Sequence, residues 1–76
     1  GMQNQHLYTL DVEGEVAAMA WLQSPADGRE MPLAMLWYIG VAGHKQGGGL
    51  GSRLYRELCR RAFEEYGAAA LAMEVE

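Results

Sequence analysis

Cysteine and proline are nearly absent from this 76-residue chain, which holds one cysteine, Cys59, and two prolines. A lone cysteine cannot close an intramolecular disulfide, which excludes the cross-linked scaffolds of small secreted proteins. No apolar run approaches the roughly eighteen residues that a membrane-spanning helix needs. Positive charge is scarce as well: six Lys and Arg stand against ten Asp and Glu, a net charge of −4. That average speaks against nucleic acid or a membrane surface as partner. Gly1 precedes Met2 and no basic-then-apolar leader follows, so Gly1 reads as a cleavage scar, residues 2–76 as one domain, and a reducing cytoplasm as the location.

What is present is half apolar and 21% charged, the mix of a folded domain. A chain of this size hides only about 60% of its unfolded surface, a thin margin over its ordering entropy. Stability shared with a ligand or a partner subunit is therefore expected.

The average charge conceals a pattern. Residues 1–43 carry Asp11, Glu13, Glu15, Asp27 and Glu30 against Arg29, and residues 62–76 carry only Glu64, Glu65, Glu74 and Glu76. Between them, Lys45, Arg53, Arg56, Arg60 and Arg61 face a single acid, Glu57. Glycine concentrates in the same stretch, with six of the ten between Gly40 and Gly51.

Leu7–Leu10 suits a strand, Asp11–Gly14 supplies turn residues, and Glu15–Leu22 resumes an apolar run, which predicts a hairpin. After the loop-like residues 24–29, Leu33–Val41 is apolar at both parities, the pattern of a central strand covered on both faces. Residues 42–49 are too rich in glycine for helix or strand. Leu50, Leu54, Leu58 and Ala62 then repeat every four residues, widened by Tyr55, Cys59, Phe63 and Tyr66, and predict a helix from Leu50 to Tyr66 that stops at Gly67. Arg60–Glu64 and Arg61–Glu65 are expected as i,i+4 pairs along it. Ala69–Val75 reads as a last strand. The expected fold is α+β, an antiparallel meander feeding one right-handed βαβ crossover.

A buried strand, a glycine loop and a helix make a generic anion cradle, since first-turn amides and the helix dipole favour phosphate. Two nucleotide motifs fail. The Walker A spacing from Gly43 to Gly48 leads to Gly49-Leu50 in place of Lys-Ser/Thr, and a dinucleotide fingerprint begun at Gly47 and Gly49 ends on Ser52. The run that fits is Gln46-Gly47-Gly48-Gly49-Leu50-Gly51, a Gln/Arg-x-x-Gly-x-Gly pattern five residues after Val41. With Ile39-Gly40-Val41 before it, Gly51-Ser52-Arg53-Leu54-Tyr55 inside it, and Leu71-Ala72-Met73-Glu74-Val75 after it, the chain resembles the GNAT N-acetyltransferase superfamily over nearly its whole length.

The resemblance implies acetyl-CoA as cosubstrate, no metal, and acyl transfer to a primary amine on a small molecule or a protein N-terminus. By position it places the pyrophosphate on Gln46, Gly47, Gly48, Gly49, Gly51 and Ser52, and the pantetheine arm on the backbone of Ile39 and Val41. Lys45 and Arg53 are the basic residues nearest the phosphates. The central strand offers Met35, Leu36 and Trp37 and no carboxylate, so Glu74, in the Leu-x-x-Glu-Val strand, is the candidate general base. The family's later loop, the helix with its tyrosine general acid, and the strands that wall the acceptor site have no counterpart in these residues, nor do its leading helices. The chain thus reads as a truncated domain, an incomplete GNAT fold, with a non-catalytic CoA-binding or self-associating remnant as the alternative. The edge at Ala69–Val75 suggests a homodimer. Cys59 on the apolar stripe reads as a buried thiol, His6 and His44 as surface residues, and Trp21 and Trp37 as core or interface aromatics.

Overall fold

A computed structural model describes residues 4–26 and 30–73. Four strands and a helix follow in the order β1 (Gln5–Val12), β2 (Glu15–Gln23), β3 (Leu33–Val41), α1 (Leu50–Arg60) and β4 (Ala70–Met73). They form one sheet in the order β1-β2-β3-β4. The first two pairings are antiparallel and β3–β4 is parallel, so the meander and the βαβ crossover are both present. The hairpin turn is Glu13-Gly14, with φ of 52° and 82°. Two left-handed residues in succession give the two-residue turn whose twist matches that of paired strands.

α1 lies across one face of the sheet. Ala18, Ala20 and Leu22 from β2 and Ala34 and Leu36 from β3 meet Leu54 and Leu58, with Ala62 and Ala68 closing the cluster. Three alanines on the strands let the helix come close, and the fully buried Leu22 and Leu58 supply the bulk. Each such leucine contributes about 1.5–3 kcal/mol of burial free energy. The other face carries no element among the described residues. Coverage of β3 on both faces is thus corrected: the strand is central in its hydrogen bonding, yet Leu33, Trp37 and Tyr38 are exposed. Apolarity at both parities recorded two hydrophobic faces and could not say whether both are covered.

The helix continues past Arg60 as a wider π-helical turn, Arg61–Glu65, and Gly67 follows with φ of 70°. A repeat of four overshoots the 3.6-residue turn by about 40° each time. A wider turn takes up that drift and brings Ala62 and Tyr66 back over the sheet. Tyr55 and Phe63, expected within the apolar stripe, are exposed, and Cys59 is half-buried, not enclosed. The predicted pairs Arg60–Glu64 and Arg61–Glu65 form at 3.6 and 3.8 Å.

Candidate acetyl-CoA cleft

β4 pairs with β3 only from Leu33↔Ala70 to Leu36↔Met73, whereas β3 runs on to Val41. Just beyond the last paired residue, β3 bulges. Trp21 pairs with Tyr38 and Leu22 with Leu36, so β3 spends an extra residue, Trp37, against β2. A bulge bends and over-twists its strand. The C-terminal half of β3 therefore presents its backbone next to α1 with no described strand beside it.

A cleft of about 820 Å³ opens there. Ile39, Gly40 and Val41 form one wall, Gln46, Gly51 and Ser52 the end, and Tyr55, Arg56 and Met73 the other side. The loop between β3 and α1 begins with a 3-10 turn at Gly43–Lys45, held by a Lys45 N–H to Ala42 carbonyl bond of 2.8 Å. Gly47 and Gly49 follow with φ of 89° and 78°, where any other residue would be strained. Gly51 is constrained by packing instead: a Cβ there would lie 3.3 Å from a methyl of Val41.

α1 starts on Gly49, which has no side chain to cap it, and its first turn holds no acid. The N–H groups of Leu50, Gly51 and Ser52 therefore lack intrahelical acceptors and sit at the positive end of the helix dipole. Gln46 donates its side-chain amide to the Val41 carbonyl at 3.2 Å, joining the loop to the end of β3. His44 and Glu15, both exposed, approach to 3.6 Å and connect the loop to the hairpin turn. Arg56 lines the cleft, whereas Arg53 lines the groove on the other side of α1; neither makes an ion pair among the described residues. Such an end suits a phosphate group on an extended ligand: backbone donors where it would sit, Arg56 beside it, and an open apolar strand leading away.

The structure brings Ile39, Val41, Gln46, Gly51 and Ser52 to one cleft and leaves Gly47, Gly48 and Gly49 exposed in the loop above it. Glu74 lies outside the described residues. Tyr55, Arg56 and Met73 were missed as lining residues. Their signal was helical spacing from Ser52, at i+3 and i+4, and the parallel register that sets Met73 opposite Leu36. A hydrogen bond to Cys59, one turn on, raises the pKa of the Tyr55 hydroxyl.

A second groove, of about 540 Å³, runs between β1 and the far side of α1. There Glu57 receives Arg60 at 2.6 Å and Arg61 at 3.0 Å, which holds its carboxyl down to about 2. Arg61 also lies over the Tyr8 ring, 5.0 Å from its centre. The Tyr8 and Tyr66 hydroxyls bond one another, and His6 stacks on Tyr66 at 4.6 Å while its Nε2 meets the Ser24 hydroxyl at 3.0 Å. His6 is thus part of a packed polar cluster and not a surface residue.

A parallel βαβ unit whose glycine loop and uncapped helix end open beside the free end of β3 has the layout of an anion-binding site. The chain belongs to the acetyltransferase (GNAT) family, whose sequence pattern matches residues 1–76. No curated protein matches it in sequence. Among solved structures it is similar to a ribosomal-protein-alanine N-acetyltransferase from Brucella melitensis biovar Abortus 2308, with a TM-score of 0.83 at 16% identity over 97% of this chain and 52% of that one. An aminoglycoside acetyltransferase from an uncultured soil metagenomic sample gives 0.83 at 17% identity over 97% and 49%. The aminoglycoside N-acetyltransferase AAC(6')-Iy, solved in complex with CoA, gives 0.80 at 15% identity over 97% and 57%. The chain therefore spans about half the length of the solved structures it matches.

Proposed function

We propose that the cleft between β3 and α1 binds acetyl-CoA and that the chain is the cofactor-binding portion of an N-acetyltransferase acting on a primary amine. The observation that carries this reading is the junction at Val41, Gln46, Gly51 and Ser52, where a strand end, a left-handed glycine loop and an uncapped helix converge on one opening. In this reading the amides of the loop and of the first helical turn hold the pyrophosphate, with Gln46, Gly47, Gly48, Gly49, Gly51 and Ser52 as contacts. The backbone of Ile39 and Val41 pairs with the pantetheine arm as a missing strand would. Lys45 and Arg56 neutralise phosphate charge from the rim.

Acetyl-CoA, when bound, supplies a thioester carbonyl open to attack. Transfer joins the amine nitrogen to the acetyl carbon, breaks the carbon–sulfur bond, passes one amine proton to Glu74 as general base and releases CoA as its thiolate. Strand amides of β3 pointing into the cleft stabilise the developing oxyanion. We assign no general acid to this chain. A reducing cytoplasm and a homodimer belong to the same proposal, as does truncation relative to the family's full domain. A small-molecule amine and a protein N-terminus are both compatible acceptors.

A binding-only reading has one observation in its favour: among the described residues the cleft is lined by no carboxylate and no histidine. Calorimetry with acetyl-CoA tests what both readings share. Heat of binding and a raised melting temperature are expected; a flat titration at millimolar ligand overturns both. A thiol-release assay with amine acceptors then separates them, since turnover that Glu74→Gln abolishes supports catalysis, and binding without turnover supports the remnant.

A further inference from the structure

The hydrogen bonds along β3 decide which of its backbone groups a ligand can reach. In an antiparallel pair, opposite residues alternate between those that bond one another and those whose N–H and C=O point away. Val41 stands opposite Ala18, Gly40 opposite Met19 and Ile39 opposite Ala20. One step beyond, the Ala42 N–H bonds the Ala17 carbonyl at 2.8 Å. Ala42 and Gly40 are therefore the residues that bond β2, while Ile39 and Val41 turn their polar groups toward the cleft.

Four groups then line the edge: the N–H and C=O of Ile39 and the N–H and C=O of Val41. One of them is taken. The Gln46 side chain reaches back five residues and donates to the Val41 carbonyl at 3.2 Å. The loop is folded for that reach, since the Lys45 N–H to Ala42 carbonyl bond tightens Gly43–Lys45 into a single turn and returns Gln46 over the strand end. β4 pairs with no residue of β3 past Leu36 among the described residues, so the other three groups stay open.

A pantetheine arm carries two amides, each with one N–H and one C=O, and can pair with a bare strand edge at more than one place. The single bonds between its pyrophosphate and its first amide let it fold or extend, so a phosphate anchor alone does not choose among those places. Sliding by one pairing moves the arm two residues, or roughly 6.6 Å, and the thioester with it. A misplacement of only about 1 Å can cost about a hundredfold in a transfer reaction. Such an edge needs a stop.

We propose that the Gln46 side chain is this stop, a positioning residue that ends the β3 ladder at the Val41 N–H and so fixes the register of the acyl-carrying arm. The inference rests on the acetyl-CoA reading above and takes the Gln46 side chain out of the pyrophosphate contacts. The phosphates keep the uncapped amides of Leu50, Gly51 and Ser52, to which a neutral carboxamide adds little.

Backbone amide hydrogen exchange, in the free chain and at saturating acetyl-CoA, tests it on the native sequence, Gln46→Met and Gln46→Arg. Methionine matches glutamine in length and donates nothing, whereas arginine keeps a donor within reach. In the native complex the N–H groups of Ile39 and Val41 are expected to slow, as are those of Gly51 and Ser52. In Gln46→Met the arm slides onto the freed Val41 carbonyl and leaves Ile39, whose N–H should exchange at least about tenfold faster than in the native complex. Gly51 and Ser52 should stay protected, and Gln46→Arg should restore Ile39. Faster exchange at Gly51 and Ser52 alone, or at all four amides alike, makes the side chain a phosphate contact and overturns the inference while acetyl-CoA binding stands. Unchanged exchange in Gln46→Met, a defect that Gln46→Arg does not repair, or a native complex that leaves Ile39 open overturns it as well. A native chain that gives neither protection nor heat of binding with acetyl-CoA overturns the reading beneath it.

Discussion

At its start α1 is held by almost nothing of its own: Gly49 at φ 78°, no capping side chain, and an entry loop of consecutive glycines. Its other end is fastened on every side. Glu57 binds Arg60 and Arg61, Arg61 covers Tyr8, Tyr8 bonds Tyr66, and Tyr66 stacks under His6. Two ends of one helix thus treat backbone polarity differently, and the difference follows from residue choice. Side chains that satisfy a helix end also fill it. An end left to backbone alone stays open to a ligand whose charge matches the dipole. The closed end keeps the helix in place while the open end leaves its first-turn amides without capping side chains.

Removing the anchor between the two ends has the largest expected effect. Leu58 is fully buried against β2 and β3, and Leu58→Ala should cost about 2–5 kcal/mol of unfolding free energy. For a chain this short that is a large share of the total, and thermal unfolding should show the native state nearly lost. A loss under about 1 kcal/mol would mean that the two ends hold the helix without its middle.

Gly49→Val probes the open end alone. A β-branched residue at φ 78° costs about 1–2 kcal/mol of backbone strain or moves the loop. Acetyl-CoA affinity should fall at least about tenfold, or 1.4 kcal/mol, by calorimetry. Circular dichroism should keep its helical signal, because the closed end is untouched. Unchanged affinity would show that the loop amides do not hold the ligand.

Much of this contrast was legible beforehand, and what escaped has a physical reason. The glycine spacing after Val41 located the open end because positive φ at Gly47 and Gly49 and the close approach of Gly51 to Val41 need glycine at those places. The closed end was only half visible. Arg60–Glu64 and Arg61–Glu65 were expected from i,i+4 spacing, but the tighter contacts converge on Glu57, since side-chain rotamers decide among neighbours that spacing treats alike. Tyr8 and Tyr66, 58 residues apart, meet only because β1 and the helix end share one face of the sheet. No local pattern carries that information. The same limit hid the bareness of the second face of β3: hydrophobicity reports what a strand prefers, not what covers it. Glu74 was found by resemblance alone and lies outside the described residues.

Tyr66→Phe tests the closed end. It deletes the bond to Tyr8 while keeping the ring under His6, and should lower stability by about 0.5–1.5 kcal/mol with no change in acetyl-CoA affinity. Burial, then the bond to Tyr8, raises the Tyr66 pKa to about 12. The neutral hydroxyl is thus the form that the fold favours. Its contribution is complete below the ordinary tyrosine value of about 10 and is lost as pH rises through about 12. If Tyr66→Phe weakens acetyl-CoA binding as well, the two ends are coupled and their division of labour fails.

The smallest effect expected is at Glu57, and it is separated from the others by pH. Hydrogen bonds from Arg60, then Arg61, lower its pKa to about 2. A depressed carboxylate favours the folded state only while ionised. Its contribution is present above the ordinary glutamate value of about 4.3 and is lost as pH falls toward about 2. The site is open to solvent, so the amount is small and salt reduces it further. Melting temperatures of the native chain and Glu57→Gln should differ at neutral pH, converge across that acid window, and lie closer together at high ionic strength. A difference that ignores both pH and salt would mean that packing of the Glu57 stem, and not its charge, holds Arg60 and Arg61 in place. The closed end would then be fastened by Tyr8, Tyr66 and His6, with the arginines free to turn toward an anionic ligand.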